Sequence, residues 1–274
     1  MVSASVGFQC PECAHAGAKA QRLVDVHRHA TQPVVTKVLI AINVLVFLVQ
    51  TGMGNNFAHG LYPDFFSRFS LWAGTALLTD HSVATVGVAN GEWWRVITGG
   101  FMHANFIHIG FNMFALYNVG SILEAMIGRV RFALIYGVSL IGGACGALLL
   151  SSPTTPTVGA SGAIFGVFGA LVFLQLSRGI PLSQGGILPT IAINLVITFS
   201  FHSVISVGGH IGGLLTGSVV AFLLIGASVS SARHREQSLN VMIPIVAVLG
   251  VALFTLSIWG AYYVVAHGAL LSIN

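Results

Sequence analysis

The sequence predicts an all-α polytopic membrane protein, and three observations predict it. Of 274 residues, 55% are hydrophobic and only 7% are charged, far from the balance of soluble domains. The mean hydropathy is +0.89. Several apolar runs reach the roughly 20 residues that a bilayer-spanning helix needs. So few charges cannot clothe a water-facing surface of this size, which leaves no room for a second large soluble domain. The formal charge of +4 comes from few residues and does not resemble a nucleic-acid footprint, so no nucleic-acid partner is expected.

Residues 1–34 read as a polar, basic tail with Lys19, Arg22, Arg28, His15, His27 and His29. Met1 to Cys13 lack the basic and apolar regions of a cleaved signal peptide, so the first apolar helix is expected to stay in the protein. Cys10 and Cys13 stand at the spacing of half a zinc ribbon, with His27 or His29 available to complete four ligands. The alternative is a basic tail with two free thiols. Cys145 lies in an apolar run and reads as a small packing residue.

The six spans of the membrane core are expected within residues 35–228. The first runs from Lys37 to Gln50, extended by Val34 and Val35. The connection from Thr51 to Phe101 holds Phe65, Phe66, Trp72, Trp93 and Trp94, a composition that suits an interfacial element at headgroup level. A second span is expected from His103 to Leu123 and a third, glycine-rich, from Phe132 to Leu150. The proline-containing loop from Ser151 to Pro156 precedes Gly159-Ala160-Ser161-Gly162, where a fourth span opens and runs to Leu176. A fifth is expected from Gly186 to Phe201 and a sixth from Val207 to Ile225. Residues 229–274 then form a basic linker with Arg233 and Arg235 and a seventh span from Val241 to Val265.

Two small-residue stretches carry the chemistry. Ser161 is a potential nucleophile and His210, in Gly208-Gly209-His210-Ile211-Gly212-Gly213, a potential base. A serine hydroxyl is weak unless a base within hydrogen-bond reach takes its proton, and imidazole has the pKa for that task. Glycines around both would let the two helices approach closely. The spans offer no candidate carboxylate beside His210, so the pair would work as a dyad. The plainer reading of either stretch is helix packing, in which Ser and Gly are common. His108 and Asn112 lie four apart on one helical face, with Asn105 three before His108. Polar groups at such depth point to the bundle interior or to water, although interhelical hydrogen bonding explains them equally well.

Orientation follows from counting basic residues. With the N-terminus cytoplasmic and seven spans, Lys19, Arg22, Arg28, Lys37, Arg129, Arg131, Arg178, Arg233 and Arg235 fall on the cytoplasmic side and Arg68 and Arg95 on the other. The positive-inside rule favours this arrangement, with Asn274 outside and with Ser161 and His210 at similar depth toward the outer face.

Together these residues resemble the rhomboid intramembrane serine proteases. The resemblance rests on Trp94-Arg95, the His103/His108/Asn112 pattern, Glu124, Gly159-Ala160-Ser161-Gly162, and Gly209-His210 with the glycines after it. It implies a rhomboid-like six-helix bundle around a water-filled cavity, here with a seventh C-terminal helix. It implies a multi-pass protein of the bacterial inner (plasma) membrane that needs no cofactor. It makes Ser161 the nucleophile and His210 the general base and acid. His108 and Asn112, with the backbone N–H of Ser161 at a helix N-terminus, would stabilise the oxyanion. The implied partners are transmembrane protein substrates, cut near the outer end of their helices within the lipid bilayer. The tail is similar to the second half of the zinc ribbon that precedes some members, with the first cysteine pair missing.

A rhomboid-like protein that binds membrane helices without cutting them is the alternative, and loss of Ser161 or His210 would have marked it. A channel or proton-relaying transporter would call for ionisable residues along a path through the whole membrane. The polar residues here cluster toward one side.

Overall fold

A computed structural model describes residues 2–3, 8–9, 32–53, 65–78, 83–179, 189, 206–226 and 235–267. The chain divides into Met1–Gln32 and Pro33–Asn274. The first unit contains a two-stranded antiparallel ladder of β1 (Val2–Ser3) and β2 (Phe8–Gln9), with Val2 opposite Gln9. Cys10, Cys13, His27 and His29 lie outside the described residues, as does the fifth span expected from Gly186 to Phe201, Pro189 excepted.

The second unit is helical and multi-pass. Among the described residues five helices are long and apolar enough to cross a membrane, and a sixth, Ser161–Ser177, is apolar and shorter. Helix α1 (Val34–Gly52) starts directly after Pro33, a position where the missing proline N–H costs the helix nothing. Its opening N–H groups have no capping side chain of their own. The buried Glu124 caps them instead, its Oε1 accepting from the Val35 N–H at 2.9 Å and its Oε2 from the Thr36 N–H and Oγ1, each at 2.8 Å.

The long connection, expected as an interfacial element, has secondary structure of its own. It folds as α2 (Phe65–Phe69), a hairpin of β3 (Thr75–Leu78) and β4 (Val83–Val86), and the short helix α3 (Arg95–Thr98). Leu71, Trp72, Ala73, Val88 and Val96 are all buried, because this segment has its own apolar partners within the protein. Arg95, itself buried, pins the loop. Its Nη1 donates to the carbonyls of Ser67 at 2.5 Å and Ser70 at 2.8 Å, and its Nε and Nη2 each meet the Glu92 carboxyl at 2.8 Å. One planar guanidinium thus ties three parts of the loop, a task suited to its fixed fork of donors.

Helix α4 (Phe106–Ile127) begins three residues later than expected, because Asn105 is its N-cap: extended at φ −162°, it accepts the His108 N–H at 2.9 Å. Gly128, at φ +87°, makes the turn between α4 and α5 (Arg129–Leu150) in one residue, so the third span starts three residues early. Helices α6 (Ser161–Ser177) and α7 (Val207–Gly226) follow the expected bounds closely. The seventh span lies inside a longer helix, α8 (Arg235–His267).

Helices α5, α6 and α7 form the centre of the bundle. Helix α6 is buried almost all round, as expected of a helix apolar on every face. The three approach closely because glycines face backbone: a Cβ on Gly213 would run into the Gly162 carbonyl, and one on Gly217 into the Gly166 backbone. On α4, Phe106, Ile107, Phe111 and Phe114 point outward, a surface that suits hydrocarbon.

Candidate active site

Ser161 is the first residue of α6, so its N–H is among the first-turn donors that no helix carbonyl can satisfy. The segment before it is held on both sides of Val158. Thr157 and Leu71 exchange two backbone hydrogen bonds, at 2.8 and 3.1 Å, and the Gly159 N–H donates to the Gly99 carbonyl at 3.0 Å. Gly159 sits at φ +113°, and a Cβ there would lie 2.7 Å from His108 Nε2. Only glycine lets the chain turn here against the imidazole.

Helix α7 is started by Ser206, whose Oγ accepts the Gly209 N–H at 3.0 Å. That cap places the buried His210 in the first turn, with its Nε2 2.8 Å from Ser161 Oγ. Phe165, one turn into α6, stacks on the His210 ring at 4.0 Å and 11°. The hydrogen bond therefore joins two helices whose separation the facing glycines set, and the aromatic face fixes the plane of the imidazole.

His108 faces the same space from α4. Its Nδ1 accepts the Ala104 N–H at 3.4 Å, which leaves the proton on Nε2, the nitrogen beside Gly159. Asn112 Nδ2 donates to the His108 carbonyl at 3.0 Å. That bond uses one amide hydrogen and leaves a second, and the amide nitrogen comes within 3.6 Å of the position a Gly159 Cβ would take. A cavity of about 50 Å³ is lined by Ser161, His210, His108, Gly159 and Ser206, among others. It has room for one or two waters.

His103 stands behind His108 with the rings 5.2 Å apart, and its Nδ1 donates to the Phe101 carbonyl at 3.2 Å. Burial, and secondarily His108, pulls its pKa down to about 3, so it is neutral near pH 7. Gln50 on α1 brackets it, donating to the His103 carbonyl at 2.6 Å and accepting its N–H at 3.3 Å.

The structure thus brings Ser161, His210, His108 and Asn112 to one end of the bundle and places Glu124 elsewhere, at the start of α1. A family model described as the rhomboid domain matches residues 90–227, which contain all four of those side chains. The chain belongs to the rhomboid family. A protein of Bacillus subtilis named provisionally as a rhomboid protease, YdcA, is 38% identical over 162 residues, covering 57% of this chain and 81% of the relative. The rhomboid protease GluP of the same organism is 43% identical over 140 residues, half of this chain but 27% of that longer protein. A mitochondrial rhomboid-like protein of Arabidopsis thaliana, number 6, is 38% identical over 144 residues, which is 46% of its length.

Sequence reasoning did not find several parts of this rhomboid site. Ser206 was within reach, since a serine just ahead of an apolar run is an N-cap signature. The Leu71–Thr157 bridge joins residues from two separate connections and leaves no periodic trace. Phe165 looks like any other apolar residue of α6 until its ring is found on His210.

Proposed function

We propose that the protein is an intramembrane serine endopeptidase that hydrolyses peptide bonds in or near transmembrane segments of membrane-protein substrates. The observation that carries this reading is the 2.8 Å contact between Ser161 Oγ and His210 Nε2 inside a cavity. Ser161 Oγ attacks the substrate carbonyl carbon while His210 Nε2 accepts the hydroxyl proton. The carbonyl oxygen becomes an oxyanion, stabilised by the Nε2–H of His108, the free amide hydrogen of Asn112 and the Ser161 N–H. His210 then protonates the leaving amine as the C–N bond breaks, leaving an acyl ester on Ser161. A water entering the cavity gives a proton to His210 as it attacks the ester carbonyl, and His210 then passes that proton to Ser161 Oγ as the acyl C–O bond breaks and the second product departs as a carboxylic acid. Apart from the substrate and water, the chain's own residues supply every group this cycle uses, and it calls for no cofactor.

The basic residues favour a cytoplasmic N-terminus, an outer location for Asn274, and a multi-pass protein of the bacterial plasma membrane, opening the site toward the outer face. A reporter fused after Asn274 that reads as cytoplasmic would overturn this orientation.

The test is cleavage of a transmembrane substrate by purified protein, with the fragments identified by mass spectrometry. Ser161→Ala and His210→Ala should each abolish cleavage, and the double variant should be no worse, because members of a catalytic unit are not additive. A fluorophosphonate should label Ser161 in the wild type. Substantial cleavage by Ser161→Ala sinks the mechanism and leaves the non-cutting helix binder as the reading.

A further inference from the structure

The seventh helix lies outside the residues that do chemistry, yet its packing leads back to them. Phe254 and Ile258 of α8 pack against the cluster that holds Leu71, Ala73, Val88 and Val96 of the first connection. Ala261 is fully buried in that cluster. Phe254 also meets the Trp93 ring edge-on at 6.2 Å, and a Cβ on Gly74 would lie 2.8 Å from Val265 Cγ2. The same loop touches the site. Leu71 pairs with Thr157 through two backbone hydrogen bonds, Gly99 accepts from Gly159, and Leu71, Val96 and Gly99 line the cavity beside Ser161.

From this continuity we infer that α8 is a positioning strut for the active site: Phe254 and Ile258 press the first connection into place, and Leu71 passes that register to the Thr157–Gly159 segment that aims Ser161. The inference rests on the endopeptidase reading above. A cluster packed from one side only would let the Leu71 backbone shift, and with it the oxyanion side of the cavity. Small displacements are costly here, since a misplacement of about 1 Å reduces turnover by on the order of a hundredfold.

The experiment uses the full chain in detergent and the rate of Ser161 labelling by a fluorophosphonate, with labelled fraction and rate constant measured separately. Phe254→Ala and Ile258→Ala should each lower the rate constant by about tenfold with the labelled fraction near complete, and Phe254→Leu should restore most of it. Val248→Ala and Val251→Ala, on the exposed face of α8, should label like the wild type. A smaller labelled fraction at an unchanged rate constant would mean that α8 only holds the fold together, and would overturn the inference, as would an unchanged rate in Phe254→Ala. Wild-type protein that does not label at Ser161 would instead sink the endopeptidase reading.

Discussion

The backbone N–H of Ala104 donates to His108 Nδ1 at 3.4 Å, and this one bond decides which way the histidine can act. A ring that accepts at Nδ1 must, when neutral, carry its proton on Nε2, and Nε2 is the atom that faces Gly159 and the cavity. The helix start itself arranges this. Asn105 caps α4 by accepting the His108 N–H, and Ala104 just before the cap bends back to the ring.

Under the proposed mechanism, His108→Ala should lower kcat by about a hundredfold or more while moving KM little, because an oxyanion donor would act on charge that develops in the transition state. Asn112→Ala should do the same to a smaller degree, since part of its amide is spent on the His108 carbonyl. Steady-state kinetics on a transmembrane substrate decide the matter. A raised KM with kcat intact would make these residues substrate binders instead.

Glu124 is a stability residue. Three donors of α1 converge on its buried carboxyl group, where the positive end of the helix dipole also favours an acidic side chain. Glu124→Ala should cost about 2–3 kcal/mol, the range for a lost cap together with buried donors left unmet. Glu124→Gln, which keeps one oxygen acceptor, should cost less. Thermal unfolding in detergent measures this, and the rate of Ser161 labelling in the folded fraction should stay at the wild-type value.

His103 should make stability depend on pH. Its folded pKa is about 3, whereas an unfolded histidine titrates near about 6.5. Between those values the unfolded chain binds a proton that the folded one refuses, so stability falls as pH drops below about 6.5 and continues to fall toward about 3. Replacing His103 by Gln should flatten that part of the profile relative to the wild type. Parallel slopes for the two proteins over pH 4 to 6.5 would show that His103 does not carry the effect.

The bundle was legible from its apolar runs because a helix in hydrocarbon must be continuous and apolar over a set length. Residues four apart, such as His108 and Asn112, also announced a shared helical face, whereas Asn105, three before His108, stands ahead of the helix as its cap. What sequence reasoning could not reach were the contacts between segments without periodicity. Leu71 with Thr157, Arg95 with the Ser67 and Ser70 carbonyls, and Phe254 with Trp93 all depend on where loops come to rest. Even Glu124, singled out by resemblance, gave no hint that its partners were the first residues of α1, since two of its three donors are backbone N–H groups that any residue type supplies.

The glycine contact between α6 and α7 offers the sharpest test of how the distance between Ser161 and His210 is set. Helices α6 and α7 touch backbone to backbone where Gly213 faces the Gly162 carbonyl, one residue from Ser161 and three from His210. A methyl group at 213 has no room, so Gly213→Ala must push the helices apart or tilt one of them. Such overpacking costs about 1–3 kcal/mol, and the helix gains back less than about 1 kcal/mol from alanine's higher propensity. Stability should therefore drop modestly, while the 2.8 Å contact between Ser161 and His210 lengthens and labelling slows by tenfold or more. Gly137→Ala is the matched control: it sits in the interior of α5 with nothing near the added carbon, so it should leave labelling unchanged and stability equal or slightly raised. If Gly213→Ala labelled as fast as Gly137→Ala, the glycine contact would not be what holds the serine and histidine together.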